Sequence, residues 1–200
     1  MRVLIIDNYS PNSPDIYKLH DLVQEMVIDP LEMHNFATAI SLETLNQFDV
    51  FILSDSDLSL TESGVFEQFH SISEFIRTNE KPIIGIAFGA QLIAMSFGVL
   101  VEPIPEPVEG FYVIEVVGQD PLFSEMANRF LVYKDYHSMI KDLPIGFSLI
   151  ATSPNVSIEA FHHSTHPIYG IQFLPHIYDD NHPAGRRILE NFFSIARLFV

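Results

Sequence analysis

Cysteine is absent from the 200 residues of the chain. Its absence excludes disulfides, thiolate zinc sites and a cysteine nucleophile, and it removes the usual indication of redox compartment. Basic residues are also scarce, since 10 Lys and Arg face 26 Asp and Glu, for a formal charge of −16. Phosphate backbones and anionic lipid surfaces repel such a chain, so we expect no nucleic-acid partner and no membrane attachment.

A secretory signal and a membrane span are not expected either. The first apolar run, residues 3–6, stops at Asp7 and is too short for the hydrophobic part of a signal peptide. Residues 82–101 carry no formal charge and are long enough to span a bilayer. However, proline and glycines interrupt them and Gln91 lies in their middle, so a buried strand, a turn and a buried helix are the better interpretation. We therefore expect a cytoplasmic protein.

Apolar runs and helical stripes alternate in the first half of the chain, which predicts a parallel sheet covered on both faces. The predicted strands are residues 2–7, 49–53 and 82–86. Two sets of apolar residues have helical spacing, the first comprising Ile16, Leu19, Val23 and Met26 and the second Val65, Phe69, Ile72 and Ile76. Ser13 and Pro14 are predicted to begin the first of these two helices. A third helix is predicted at residues 89–97.

The second half favours strands separated by turn residues, followed by a closing helix at residues 183–199. The strand candidates are residues 111–117, 129–133, 147–152, 157–161 and 167–173. Residues 103–107 have three prolines and are predicted to form a stiff connector. We therefore predict one α/β domain over residues 1–200, with three layers, a mostly parallel central sheet flanked by helices, and a smaller antiparallel set of strands from residues 111–161.

One turn has the spacing of a nucleophile elbow. In residues 82–89, a buried strand ends and Ala87 follows, with Gly85 two residues before it and Gly89 two residues after. Such glycines leave room for a tight strand-to-helix reversal that presents the central side chain at the carboxyl edge of the sheet. Close packing of a helix on a strand explains the same spacing equally well. The methyl group of Ala87 cannot attack a carbonyl.

The chain resembles the class I glutamine amidotransferases over essentially its whole length, with the matching segments in family order. Residues 85–91, G-I-A-F-G-A-Q, resemble the family's G-I-C-x-G-H-Q, and residues 170–176, G-I-Q-F-L-P-H, resemble G-x-Q-F-H-P-E. Further matches are residues 5–9 with the opening strand, 136–139 with the S-H-x segment and 188–193 with the final helix. Within the family, the resemblance is strongest to the amidotransferase subunits of archaeal-type GMP synthases, and that of anthranilate synthase is also similar. It implies a flavodoxin-like fold.

The resemblance implies hydrolysis of glutamine by a Cys-His-Glu triad and transfer of ammonia to a synthetase. The three triad positions correspond to Ala87, Leu174 and His176. The oxyanion loop, S-G-G-P in the family, corresponds to residues 54–57, S-D-S-D, whose carboxylates have the wrong sign for stabilising an oxyanion. Exchange of the cysteine alone would suit an engineered substrate trap, whereas four altered positions, at the oxyanion loop and the three triad positions, indicate a coordinated loss. We therefore expect a pseudoenzyme that acts as a binding or regulatory subunit.

The sequence leaves two alternatives open, which are repurposed hydrolase or transferase chemistry in the same cleft and a sensor of glutamine or another amide. Repurposed chemistry would pair His176 with Asp179 or Asp180, or use Ser54, Ser56 or Ser138 as a nucleophile. We predict no cofactor and no metal, although His162, His163 and His166 lie close together. The expected partners are a synthetase-type protein or a second copy of the chain, with a small amide or amino acid as ligand. The candidate ligand cleft comprises Asp55, Ser56, Gly85, Gly89, Gln91, His137 and Ser138.

Overall fold

A computed structural model describes residues 1–200 and has an α/β architecture. The first half contains four strands and five helices, and the second half contains five strands, a 3-10 turn and one long helix. In chain order the first half comprises β1 (Val3–Asp7), α1 (Ile16–Met26), β2 (Glu32–Asn35), α2 (Leu42–Leu45), β3 (Val50–Leu53), α3 (Val65–Gln68), α4 (His70–Thr78), β4 (Ile83–Ile86) and α5 (Phe88–Ser96). The second half comprises β5 (Val101–Val116), a 3-10 turn (Pro121–Phe123), β6 (Arg129–Ile140), β7 (Phe147–Thr152), β8 (Ala160–His163), β9 (Ile168–Ile171) and α6 (Ala184–Ala196).

All nine strands form one sheet in the order β2-β1-β3-β4-β9-β8-β7-β5-β6. The pairings from β2 to β9 are parallel, and those from β9 to β6 are antiparallel. The fold class predicted from the sequence is therefore confirmed. The antiparallel strands, however, extend the central sheet instead of forming a smaller set beside it, and they begin ten residues earlier than predicted, at Val101.

Alternate residues of the parallel strands supply two separate cores, one on each face of the sheet. Val3 and Ile5 of β1 pack in a core with α1 and α6, whereas Leu4 and Ile6 pack in a second core with α4 and α5. Strands that are buried on both faces are expected to be apolar along their length, as β3 and β4 are and as β1 is up to Asp7, its last residue. This is the predicted three-layer arrangement.

Several element bounds differ from the predictions. The predicted second helix is two helices that meet at Phe69, and the first helix begins at Ile16 without a side-chain cap from Ser13. Residues 103–107 lie within β5 instead of forming a connector, but their ladder to β6 is interrupted between Pro103 and Val108 because proline has no N–H to donate. The exposed edge strand β2 was missed, since its polar sequence lacks the alternation of a half-buried strand. No helix has the length and apolar character needed to cross a membrane.

Candidate functional site

The predicted elbow lies between β4 and α5, at the carboxyl edge of the parallel strands. Ala87 has φ 48° and ψ −105°, and its N–H donates to the carbonyl of Ile171 at 2.8 Å. The glycines on either side allow close packing. A Cβ on Gly85 would lie 2.5 Å from the backbone of Gly89, and one on Gly89 would lie 2.4 Å from the carbonyl oxygen of Leu53. The two glycines thus set the elbow's backbone.

Because the backbone at Ala87 is strained, we predict that glycine at this position lowers the stability of the protein less than glycine inside α5 does. A positive φ in a non-glycine residue costs about 1–3 kcal/mol, and glycine relieves that cost. We therefore expect Ala87→Gly to destabilise the protein by about 1–3 kcal/mol less than Ala90→Gly, which changes another buried alanine inside α5. Urea unfolding of both variants measures the difference. Equal losses would mean that the backbone at Ala87 is not strained.

The loop after β3 contacts the elbow through a carboxylate. The N–H of Phe88, the residue after Ala87, donates to Asp55 Oδ1 at 3.1 Å. This N–H begins α5, where the helix dipole favours an anion. Burial, followed by the charge of Asp135, raises the pKa of Asp55 to about 7, although the hydrogen bond from Phe88 opposes the rise. The side chain of Asp55 therefore takes the N–H donor that would otherwise face a ligand at the elbow.

The raised pKa of Asp55 predicts how its substitution depends on pH. Folded Asp55 keeps its proton up to about pH 7, whereas the unfolded chain releases it near its ordinary value of 3.8, so the folded state binds more protons in between. Folding stability from this group therefore falls as pH rises through that window. We expect Asp55→Asn to gain stability relative to the native chain over this range and to show no further relative change below it. Thermal unfolding across the range measures this, and the exposed Asp142→Asn is the control. A difference that is flat with pH would contradict the assignment.

Two cavities adjoin Asp55. The first, of about 490 Å³, lies on the α5 side and brings together six of the predicted site residues: Asp55, Ser56, Ala87, Gln91, His137 and Ser138. The second, of about 420 Å³, lies on the α1 side and is lined by Leu174 and His176. Gly85 and Gly89, which we predicted as cleft residues, line neither cavity. They act through packing instead.

Gln91 lies on the wall of the first cavity, but its amide is fully engaged within the protein. Its Nε2 donates to the carbonyl of Ser138 at 3.0 Å and to Gln172 Oε1 at 3.3 Å, and its Oε1 accepts from the Ser138 hydroxyl at 3.1 Å. These contacts hold α5 against β6. His137 is exposed beside them.

The structure does not form the base–orienter pair that repurposed chemistry would use. Asp179 bonds to His182, with Oδ1 2.9 Å from Nδ1, and His176 makes no hydrogen bond to either neighbouring aspartate. Two of the candidate serine hydroxyls already donate hydrogen bonds within the chain. Ser54 donates to the carbonyl of Asp55, and Ser56 donates to the carbonyl of Asn8. None of the three candidate serine hydroxyls is hydrogen-bonded to a histidine. The hypothesis of an alternative nucleophile therefore lacks the geometry it needs.

The histidine cluster is also engaged within its loop. His163 Nδ1 accepts from the backbone N–H groups of Thr165 and His166 at 3.2 and 3.1 Å. His162 pairs instead with the buried Asp120. The chain contains no group of three His, Asp or Glu side chains arranged to hold a metal ion.

Sequence reasoning missed several residues of the second cavity: Tyr9, Asp15, Lys18, Tyr133 and Asp135. Tyr9 follows β1 at the carboxyl edge of the sheet, a position from which it could have been predicted. Asp135 lies on β6, and only the long antiparallel excursion brings it to this edge, so no local pattern indicates it.

Known proteins match the sequence of this chain over nearly its whole length. The family described as glutamine amidotransferase class-I matches residues 4–196. The A subunit of glutamine-hydrolyzing GMP synthase from Methanothermobacter thermautotrophicus is 29% identical over 195 residues, covering 98% of both chains. The corresponding protein from Thermoplasma acidophilum is 27% identical over 196 residues, covering 98% of this chain and 93% of its own.

Solved structures of similar proteins have the same fold as this chain. A crystal structure described as that of a GMP synthase A-subunit protein from Thermoplasma acidophilum has a TM-score of 0.87 at 26% identity, covering 100% of this chain and 95% of the other. A glutamine amidotransferase from Thermotoga maritima has a TM-score of 0.74 at 20% identity, covering 100% and 88%, and so shares the fold. The chain belongs to the class I glutamine amidotransferase family.

Proposed function

We propose that this chain is a non-catalytic member of its family that acts as a binding or regulatory subunit. The observation that carries the proposal is the elbow itself. Its backbone has the strained conformation of a nucleophile turn, yet the side chain there is the methyl group of Ala87. Without a nucleophile, no covalent intermediate can form, and the other triad members cannot replace it.

The remaining triad positions support the same proposal. The resemblance assigns the general base to Leu174, which cannot carry a proton, and the orienting carboxylate to His176. Burial, and then the charge of Lys18, lowers the pKa of His176 to about 4, so its ring is neutral near pH 7. A neutral ring with no hydrogen-bonded acid beside it lacks the pairing of a triad.

Asp55 supports the proposal independently of the triad. In the elbow arrangement, the N–H after the nucleophile is a donor to the oxyanion. Here that donor is Phe88 N–H, and it is bonded to a carboxylate of the same chain. A developing negative charge would meet Asp55 instead of a free donor, which raises the barrier it should lower.

Ammonia release from glutamine tests the proposal. We expect the purified chain to release none above the buffer background, with a family member that carries the intact triad as the positive control. Glutamine turnover that co-purifies with the chain and disappears on Asp55→Asn or His176→Gln would overturn the proposal. Turnover that is insensitive to both changes would indicate a contaminating enzyme.

The proposed partner is a synthetase-type protein. Relatives that match nearly the whole chain are A subunits of GMP synthase, which supports a partner of that kind. Sedimentation of the chain alone and mixed with the GMP synthase synthetase subunit of the same organism tests this. A joint boundary is the expected result. A self-associated boundary that the synthetase leaves unchanged would favour the second-copy alternative and contradict this partner.

A further inference from the structure

An apolar groove of about 460 Å³ lies between α2 and α4, on the face of the sheet opposite to α1 and α6. It reaches down to β1, where Ile6 is only 1% exposed. Six of its ten lining residues are apolar: Ile6, Ile40, Leu42, Leu45, Ile72 and Phe75. The groove shares no lining residue with the two cavities at the elbow, so what it binds does not depend on the proposed function.

The groove is open because the connection between β2 and β3 contains little helix. At about 1.5 Å per helical residue, the four residues of α2 span about 6 Å, whereas the five residues of β1 span about 17 Å. Residues of the second core therefore line the groove, and Leu42 at the start of α2 is 68% exposed. A concave site of this volume with a mostly apolar lining has the character of a small-molecule site.

The polar groups of the groove all belong to α4: Ser71, Glu74, Arg77 and Thr78. The hydroxyl of Thr78 donates to the carbonyl of Glu74 at 2.9 Å. Arg77 Nη2 lies 4.0 Å from Glu74 Oε1, which is too long for a hydrogen bond. The Arg77 side chain is also half exposed, so its guanidinium is accessible to a ligand in the groove.

The charged groups around the groove favour an anionic ligand over a cationic one. Glu74 has two basic neighbours, because His70 Nε2 lies 3.6 Å from the same carboxylate oxygen that Arg77 approaches. Glu74 is therefore a poor partner for a further cation. Arg77 is the only basic residue that lines the groove, and a guanidinium presents its donors in a fork that matches a carboxylate.

We propose that this groove binds a small apolar carboxylic acid, whose hydrocarbon part packs against Ile6, Ile72 and Phe75 while its carboxylate pairs with Arg77. Burial of the hydrocarbon supplies the affinity, and the pair with Arg77 selects an acid. The overall charge of −16 opposes the binding of anions elsewhere on the chain, which makes this selection measurable.

Titration calorimetry with four small molecules tests this ligand class. The probes are octanoate, the neutral 1-octanol, octylammonium and acetate, each at the same ionic strength and below the concentration at which it forms micelles. We expect saturable heat from octanoate, with an affinity about tenfold or more above that of 1-octanol or octylammonium, and none from acetate, which lacks the hydrocarbon. Absence of saturable heat from octanoate would overturn the proposal, as would equal affinity for 1-octanol or octylammonium.

Two arginine variants test the partner of the carboxylate. Arg77→Gln changes a half-exposed side chain and should lower the octanoate affinity about tenfold or more, without changing that of 1-octanol. Arg197→Gln makes the same change in net charge at an exposed residue outside the groove and should leave both affinities unchanged. Equal octanoate affinities for the two variants would exclude Arg77 as the partner and contradict the proposal.

Two leucine variants test where the hydrocarbon binds. Leu42 and Leu100 are exposed to similar extents, 68% and 62%, and of the two only Leu42 lines the groove. Leu42→Asp should weaken both octanoate and 1-octanol, because it places a charge against the hydrocarbon, whereas Leu100→Asp should weaken neither. Thermal unfolding checks that both variants are folded. Unchanged binding by folded Leu42→Asp would place the ligand outside the groove and overturn the proposal.

Discussion

Ammonia release from glutamine is expected to stay at background when the three triad side chains are restored in the Ala87→Cys/Leu174→His/His176→Glu variant. It should rise only when Asp55→Gly and Ser56→Gly are added. The reason is that the introduced thiol would sit at a competent elbow while the adjacent N–H of Phe88 still bonds to Asp55. Removing one oxyanion donor costs an enzyme about 10²–10³ in turnover, and we expect the two loop changes to recover a factor of that order.

Two controls make this result interpretable. Alkylation of the introduced thiol by iodoacetamide reports that it is present and accessible in both variants. Ser59→Gly, added to the triad variant in place of the loop changes, alters a residue of the same cavity whose hydroxyl bonds to Thr61. It should leave the rate at background. Equal ammonia release with and without the loop changes would show that Asp55 does not block the elbow.

A loss of about 3–5 kcal/mol in unfolding free energy is expected from Glu159→Ala. Lys134 and Glu159 form an ion pair whose side chains are 2% and 0% exposed. Ser153 and Tyr136 donate to the same carboxylate oxygen at 2.5 and 3.1 Å, and Lys134 also donates to Ser153 at 3.0 Å. Removing the carboxylate leaves a buried ammonium without its counter-ion.

Two comparisons separate the buried charge from the lost side chain. Glu102→Ala breaks the exposed pair with Lys141, whose atoms are 2.6 Å apart, and should cost less than about 1 kcal/mol. The double variant Lys134→Met/Glu159→Leu replaces the buried pair with apolar groups and should recover most of the stability lost in Glu159→Ala. Urea unfolding measures all three. A double variant as unstable as Glu159→Ala would mean that packing, not charge, explains the loss.

Periodicity alone predicted the parallel half of the fold well. β3 is apolar at every position and β1 is apolar up to Asp7, its last residue, because both faces are covered, and that signal lies within a few adjacent residues. The antiparallel half was predicted less well. Half-buried strands have weaker patterns, and β5 begins in a proline-rich segment that a local interpretation assigns to a connector.

At the candidate site too, sequence motifs located some residues, whereas others were brought together only by the fold. The G-x-x-x-G spacing located Ala87, and the resemblance located Leu174 and His176, because these residues lie in short contiguous motifs. Asp135 and Tyr9 belong to the same cleft, but Asp135 lies on β6 whereas Tyr9 lies in the loop after β1. The bond from Phe88 N–H to Asp55 joins residues 33 positions apart in sequence. Local sequence patterns do not indicate a contact over such a separation.

The absent cysteine and the charge of −16 were determined by the sequence alone, as were the alternation of strands and helices and the methyl group at the elbow. Only the tertiary structure decided where the charge lies. It gathers carboxylates from separate segments along one cleft and bonds one of them to the first N–H of α5. The physical reason is that composition sums charges over the whole chain, whereas pKa values and ligand preference depend on distances between groups that only folding brings together.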